Sequence, residues 1–334
     1  MAVPAHDQSA HDSGARVAHD AGRIQNLVMV TARTWKILLV LIAMSWGVGF
    51  PLTKNALAEA PVFSFLFLRF TLAAIVMLPW IIIAIRKPNF HRDVAFGLGL
   101  GVAVFVGYAL QTMGLERTSV THTAFLTGLY SVFTPLLDWI IYRKRLQRQT
   151  FAAVLLALLG LWFISGMKDF HLQLGDLLVI LCALSFSFQI IWLSRAPPGS
   201  SSTTLAFTQV AAIGLLSLPS AIYLENFQWV PFSSGFWWAI IFMAVVGSSI
   251  SFLIQSEAQK SVPPTQVALI LLTEPLWGAV AGGVMSHERL PWTSYMGGGL
   301  LIVGVLLSEF PLQRFLKKLK DITSKRNRKQ KTYG

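Results

Sequence analysis

Within Leu-Leu-Thr-Glu-Pro-Leu-Trp, residues 271–277, a carboxylate and an imino acid interrupt a run of apolar and small residues. A carboxylate in such surroundings needs a cation, a proton or hydrogen-bond donors. Pro275 has no amide hydrogen, so the carbonyl of Leu271 loses its helical partner and the helix is expected to bend there; Pro135 would release Ser131 in the same way. A bent helix with a loose carbonyl beside Glu274 can receive a cationic group or a coupling proton, and its charge state can follow the binding of a solute. Arg69, in Phe-Leu-Arg-Phe, is the second charge of this kind. It needs an anion or several carbonyls, and can hold a carboxylate of the protein or of a solute, or clamp two helices.

Uncharged polar groups recur at helical spacing around these two. Thr123, Thr127, Tyr130, Thr134 and Asp138 fall on one helical face, either as a wall of a solute path or as groups that bond their own helix carbonyls and neighbouring helices. Ser248, Ser251 and Gln255 form a shorter stripe, with Tyr108 and Gln111 as a second source of similar groups. Trp46, Ser45, Ser185 and Gln189 complete the candidates for a polar cavity. Gly97 and Gly101, and Gly278 and Gly282, have the G-x-x-x-G spacing that lets helices approach closely.

The elements that must position these residues follow from composition. Of 334 residues, 54% are hydrophobic and only 13% charged, with a mean hydropathy of +0.60, which places the chain among integral membrane proteins. A helix crosses the hydrocarbon core with about 20 apolar residues. Ten such windows are expected at roughly 37–56, 62–84, 94–114, 121–142, 150–167, 174–194, 202–224, 235–257, 265–286 and 292–312. Their links are too short for a soluble domain, and runs this continuous exclude the alternating strands of a β-barrel. The expected fold is an all-α integral membrane protein whose body is the helices themselves, with the lipid bilayer as a partner. Counting 1.5 Å per residue, Glu274 lies roughly 14 Å from the start of its span and Arg69 roughly 12 Å from the end of its own, both near mid-bilayer.

The net charge of +12 does not point to nucleic acid, because it concentrates at one side of the expected membrane. With the N-terminus in the cytoplasm, only Lys54, Arg117, Lys168 and Arg289 fall on external links and Arg69 within a span. The positive-inside rule then places both termini in the cytoplasm. The basic run 313–334 reads as a cytoplasmic tail attracted to anionic lipid. Residues 1–36 lack the order of a cleavable signal and are expected to be a retained, disordered cytoplasmic tail. It holds three Ala-His-Asp triplets, at His6/Asp7, His11/Asp12 and His19/Asp20, but no scaffold holds them together, so no metal centre is expected. No cofactor site is expected either, and the single Cys182 excludes an intramolecular disulfide.

A shift of 140 residues lays Leu-Val-Leu-Ile-Ala-Met-Ser-Trp on Val-Ile-Leu-Cys-Ala-Leu-Ser-Phe, pairing Ser45 with Ser185 and Trp46 with Phe186. It also pairs Arg69 with Gln209 and Pro79 with Pro219. After a small length difference the shift becomes 144 and pairs Gln111 with Gln255, Tyr130 with Glu274, Arg145-Leu146 with Arg289-Leu290 and Gly160 with Gly304. The chain therefore reads as a five-helix unit used twice, at 37–167 and 174–312. An odd number of spans per unit starts the second copy on the opposite face, giving ten transmembrane helices as two inverted five-helix repeats. Such repeats suit alternating access, with a site near the midplane at their interface.

Ser-Trp-Gly-Val-Gly-Phe in the first span, Leu-Arg-Phe in the second, the stretch from Gly114 to Leu137 and the stretch from Ala268 to Leu290 resemble the EamA-type transporters of the drug/metabolite transporter superfamily, over residues 37–310. The resemblance implies ten helices, cytoplasmic termini, a cell-membrane location and movement of a small organic solute such as an amino acid, another metabolite or a drug. No Gly-Lys dipeptide occurs, so a P-loop is absent. An intramembrane enzyme, the competing class, would need a G-x-S-x-G, an H-E-x-x-H or paired intramembrane aspartates, and none is found. A non-transporting receptor or assembly factor would leave the duplication and the polar stripes without a reason. The expectation is a secondary transporter, not an enzyme.

Overall fold

The computed structural model describes residues 9–143, 147–165, 173–226, 232–285 and 292–309. Residues 1–8, the basic run 313–334 and the Arg145-Leu146 and Arg289-Leu290 pairs lie outside the described residues, as do the side chains of the Ala-His-Asp triplets and of Gly282. Among the described residues every regular element is a helix: α1 (Ser9–Ala56), α2 (Val62–Ala84), α3 (Phe90–Arg117), α4 (Val120–Thr127), α5 (Tyr130–Tyr142), α6 (Arg148–Ser165), α7 (Leu174–Leu193), α8 (Ser202–Glu225), α9 (Ser234–Ala244), a π-helical turn (Val245–Ile250), α10 (Ser251–Ala258), α11 (Pro264–Leu271), α12 (Glu274–Met285) and α13 (Trp292–Glu309).

Helix is present along each of the ten apolar windows. Among the described residues, 7 stretches are long and apolar enough to cross a membrane: Ala32–Ala56, Val62–Ala84, Phe90–Arg117, His122–Tyr142, Leu174–Leu193, Ser202–Glu225 and Ser234–Ala258. Arg148–Phe163 and Tyr295–Leu307 are shorter apolar helices. Large apolar side chains such as Ile83, Leu215, Trp238 and Leu306 lie exposed on the outside, as suits a surface that faces lipid. The chain is a multi-helix membrane protein.

Glycines set the closest helix approaches. Gly97 and Gly101 of α3 lie against Thr208 and Ala212 of α8. In α6, Gly160 faces the backbone of Gly297 and Leu301 in α13, while Gly304 of α13 returns the contact to Ala153 and Ala157. Hydrogen bonds sort the connections into two ends. At one end Glu225, which closes α8, accepts the amides of Phe63 (2.7 Å) and Ser64 (2.8 Å) and the Ser64 hydroxyl (2.8 Å), capping the start of α2. Nearby, Lys54 donates to the carbonyls of Leu115 (2.5 Å), Glu116 (3.1 Å) and Thr118 (3.1 Å) at the end of α3. Glu59 accepts the Ser233 hydroxyl (2.7 Å) and amide (2.9 Å), which hold its carboxyl below the usual carboxylate range. At the opposite end Asp93 accepts the Ser200 hydroxyl and the Ser201 amide, both 2.8 Å, just before α8 begins. Thus α2 starts under a carboxylate from the end of α8, and α8 under one from the first turn of α3. Glu225→Ala, which strips α2 of its cap, is expected to lower stability by about 2 kcal/mol, read as a drop in the detergent melting temperature.

Three interruptions lie in the middle of the fold. Between α4 and α5 the chain tightens at Gly128 and Leu129, with Leu129 N–H bonded to Leu126 O at 3.1 Å. Between α11 and α12 it tightens in the same way at Leu272 and Thr273, with Thr273 N–H on Ile270 O at 3.1 Å. These are equivalent positions under the shift of 144, and Tyr130 and Glu274 each open the helix that follows. Pro275 stands in the first turn of α12, whereas Pro135 lies inside α5, downstream of the tightened turn. The third is the π-helical turn, where Ser249 and Ser251 hydroxyls donate to the carbonyls of Ala244 (2.9 Å) and Val246 (2.7 Å), five residues back.

Candidate functional site

These interruptions border a cavity whose lining comes from both halves of the sequence. Under the shifts of 140 and 144 its lining falls into equivalent pairs: Trp46 with Phe186, Gly49 with Gln189, Phe50 with Ile190, Tyr108 with Phe252, Gln111 with Gln255, Thr127 with Leu271, and Tyr130 with Glu274. Lining residues without such a partner are Thr53, Arg69, Val104, Thr112, Leu115 and Met243. Thr53 and Leu115 belong to the last turns of α1 and α3, so the cavity runs from the middle of the fold toward the end where Glu225 caps α2.

Arg69 comes from the middle of α2 and is only 3% exposed. Its Nε donates to the Ser248 hydroxyl at 3.1 Å and a terminal nitrogen reaches Gly247 O at 3.5 Å. Its guanidinium carbon lies 4.8 Å from the centre of the Phe70 ring and 5.1 Å from that of Tyr108, a cation held by two π faces. The Gly247 carbonyl also accepts the Trp46 indole N–H at 2.8 Å. The widened turn therefore presents a carbonyl that two helices grip from the cavity side. Ser185 donates to Ala103 O at 2.7 Å, and Ala103 is the equivalent of Gly247.

On the facing side Tyr130 and Glu274 are buried at 3% and 6% exposure. The Tyr130 hydroxyl has no hydrogen-bond partner among the described residues. Glu274 lines the same space and lies close enough to Arg69 to interact with it electrostatically. The cavity thus offers one cation, one carboxylate, an unpartnered phenol and several amides between aromatic walls. That set can hold a small organic solute by its polar groups while covering its apolar part. Further along, Gln111 Nε2 donates to Thr127 Oγ1 at 3.2 Å. Gln255 reaches Gln189 at 3.4 Å, and Gln189 donates to Gln209 at 2.8 Å.

Trp46, Arg69, Tyr108, Gln111, Thr127, Tyr130, Gln189, Gln255 and Glu274 are therefore brought together. Ser248 stands behind Arg69, and Ser251 faces Ser45 at 3.5 Å, neither on the cavity lining. Thr123 bonds its own helix at Ser119 O, 2.9 Å away. Thr134 is fully buried away from the cavity, and Asp138 pairs with Arg195 at 3.1 Å at the opposite end. Sequence reasoning missed Thr53, Thr112, Met243 and Phe186 as lining, and Gln209 as the partner of Gln189. The repeat could have found Phe186 from Trp46 and Gln209 from Arg69; no spacing singles out Thr53 or Thr112.

The EamA-like transporter family matches the sequence twice in succession, at residues 33–166 and 173–310. An uncharacterized transporter of Archaeoglobus fulgidus is 30% identical over 270 residues, covering 80% of this chain and 83% of the relative. The uncharacterized transporter YvbV of Bacillus subtilis is 25% identical, covering 80% of this chain and 88% of its own. A biotin transporter of Salmonella typhimurium is 22% identical, covering 80% and 91%. One protein of known crystal structure shares the fold with a TM-score of 0.70 at 17% identity, over 84% of this chain and 98% of the other. Two consecutive matches that together span most of the sequence, on a fold of apolar helices around a largely apolar cavity with a few polar groups, make this chain a membrane transporter that belongs to the EamA-like transporter family.

Proposed function

We propose that the chain is a secondary carrier that moves a small organic solute across the cell membrane by alternating access. Its ten transmembrane helices form two inverted repeats, 37–167 and 174–312, with both termini in the cytoplasm and the solute held in the cavity between them. The observation that carries this reading is the pairing of the lining: a pseudo-twofold axis in the membrane plane would bring equivalent residues of both halves to one cavity. The matched interruptions before Tyr130 and Glu274, and the two successive family matches, support it further. The solute is an organic molecule such as an amino acid, another metabolite or a drug, and a proton on Glu274 is the candidate coupling ion.

Uptake of radiolabelled L-amino acids and of biotin into proteoliposomes of the pure protein tests the reading. Biotin belongs in the panel because a relative is named for its transport. At least one probe is expected to enter faster than into empty liposomes; no entry by any probe overturns the reading. In the same assay Arg69→Gln, which installs the residue found at the equivalent position, is expected to lower uptake about 10-fold with the protein still folded, since a charge-assisted hydrogen bond to the solute is lost. Full uptake by Arg69→Gln argues that the arginine is only an interhelix clamp.

A further inference from the structure

The unpaired part of the lining points to a gate. Thr53, Arg69, Thr112 and Leu115 face the cavity. Their equivalents are Leu193, Gln209, Ser256 and Gln259, and none of these lines it. All four are buried, at 3%, 0%, 3% and 6% exposure. Two of them are joined across helices instead. Gln209 of α8 accepts from Gln189 of α7 at 2.8 Å, and Gln259 at the end of α10 donates to Ile190 O at 2.7 Å.

We propose that Gln209 and Gln259 are gate residues: with Gln189 and Gln255 they shut the cavity at the opposite end, and Arg69 and Leu115 take their places when the cavity is exposed there instead. The proposal rests on the carrier reading above. In an inverted repeat each half adopts in one state the arrangement that the other half has in the second. Here the second half holds its amides together while their equivalents Gly49, Arg69, Gln111 and Leu115 stand apart around open space. The exchanged state therefore brings Arg69 off Ser248 and toward Gly49, the equivalent of Gln189, and separates Gln209 from Gln189.

Two features suit the closed set to opening. Its links are hydrogen bonds between neutral groups, so parting them separates no charges. The Ser256 hydroxyl and the Gln259 side-chain oxygen are also buried with no hydrogen-bond partner among the described residues. Wetting this end relieves that cost, which keeps the closed state from being too stable to leave.

Cysteine accessibility tests the proposal. In a Cys182→Ala background, Thr53→Cys and Ser256→Cys serve as separate reporters, labelled with a membrane-impermeant maleimide in vesicles of known orientation. Adding Gln209→Leu is expected to raise labelling of Ser256→Cys from the opposite face roughly fivefold and to lower that of Thr53→Cys, the population shift that follows loss of about one net hydrogen bond. If Gln209→Leu is not monodisperse, Gln259→Leu is read in its place with the same expectation. Unchanged labelling at both reporters in folded protein overturns the gate assignment and leaves the carrier reading to the uptake assay. A rise at both reporters together signals a continuous pore and overturns the carrier reading as well.

Discussion

Glu274→Ala is expected to reduce solute uptake by a factor of about 10–100, the loss of one charge-assisted hydrogen bond, in protein that remains folded and monodisperse. The carboxylate lines the same cavity as Arg69 and Tyr130 and opens α12. Its removal also leaves the buried Arg69 guanidinium without the one carboxylate of the cavity lining, so some stability is lost with alanine whatever the role of Glu274. A merely structural glutamate predicts near-normal uptake with glutamine. Glu274→Gln keeps the shape and removes the charge. It is therefore the sharper variant, and wild-type uptake by Glu274→Gln would remove the carboxylate from any account of solute or proton binding.

The helices were readable because an apolar run of about 20 residues has few other fates. Two successive matches to one family fit the repeat read from the sequence, and its pairing of Tyr130 with Glu274 falls on two residues of the cavity lining. The polar stripe on α4 and α5 was only half informative. Its spacing assumes one unbroken helix longer than the cavity is deep, yet the chain tightens at Gly128 and Leu129 between Thr127 and Tyr130. Only those two reach the cavity; Thr134 packs beyond it, and Asp138 meets Arg195 where α5 and α7 end. The π-helical turn left a weaker trace, the Gly-Ser-Ser run at 247–249, whose small residues tolerate a widened turn. What this turn does for Trp46 and Arg69 depends on helices distant in sequence, so no local pattern could carry it.

Gly47→Val is expected to lose both stability, by about 1–3 kcal/mol or more, and nearly all uptake. A glycine inside a helix costs about 1 kcal/mol relative to alanine, so its presence in α1 needs a reason. That reason is α12. A side chain at position 47 would meet the Glu274 carbonyl, the Gly278 amide nitrogen at 2.7 Å and Trp277 Cβ at 2.9 Å, none of which can rotate away. The helix opened by Glu274 would have to move off α1, and the carboxylate would move with it. Gly299→Ala is the control, because a methyl group there meets nothing within 4 Å; it is expected to gain about 0.5–1 kcal/mol from helix propensity and to leave uptake unchanged. Melting curves and proteoliposome uptake on the two variants separate the possibilities. Wild-type values for Gly47→Val would mean that the close approach of α1 and α12 does not position the cavity carboxylate, whereas lost uptake with a modest drop in melting temperature ties that approach to transport.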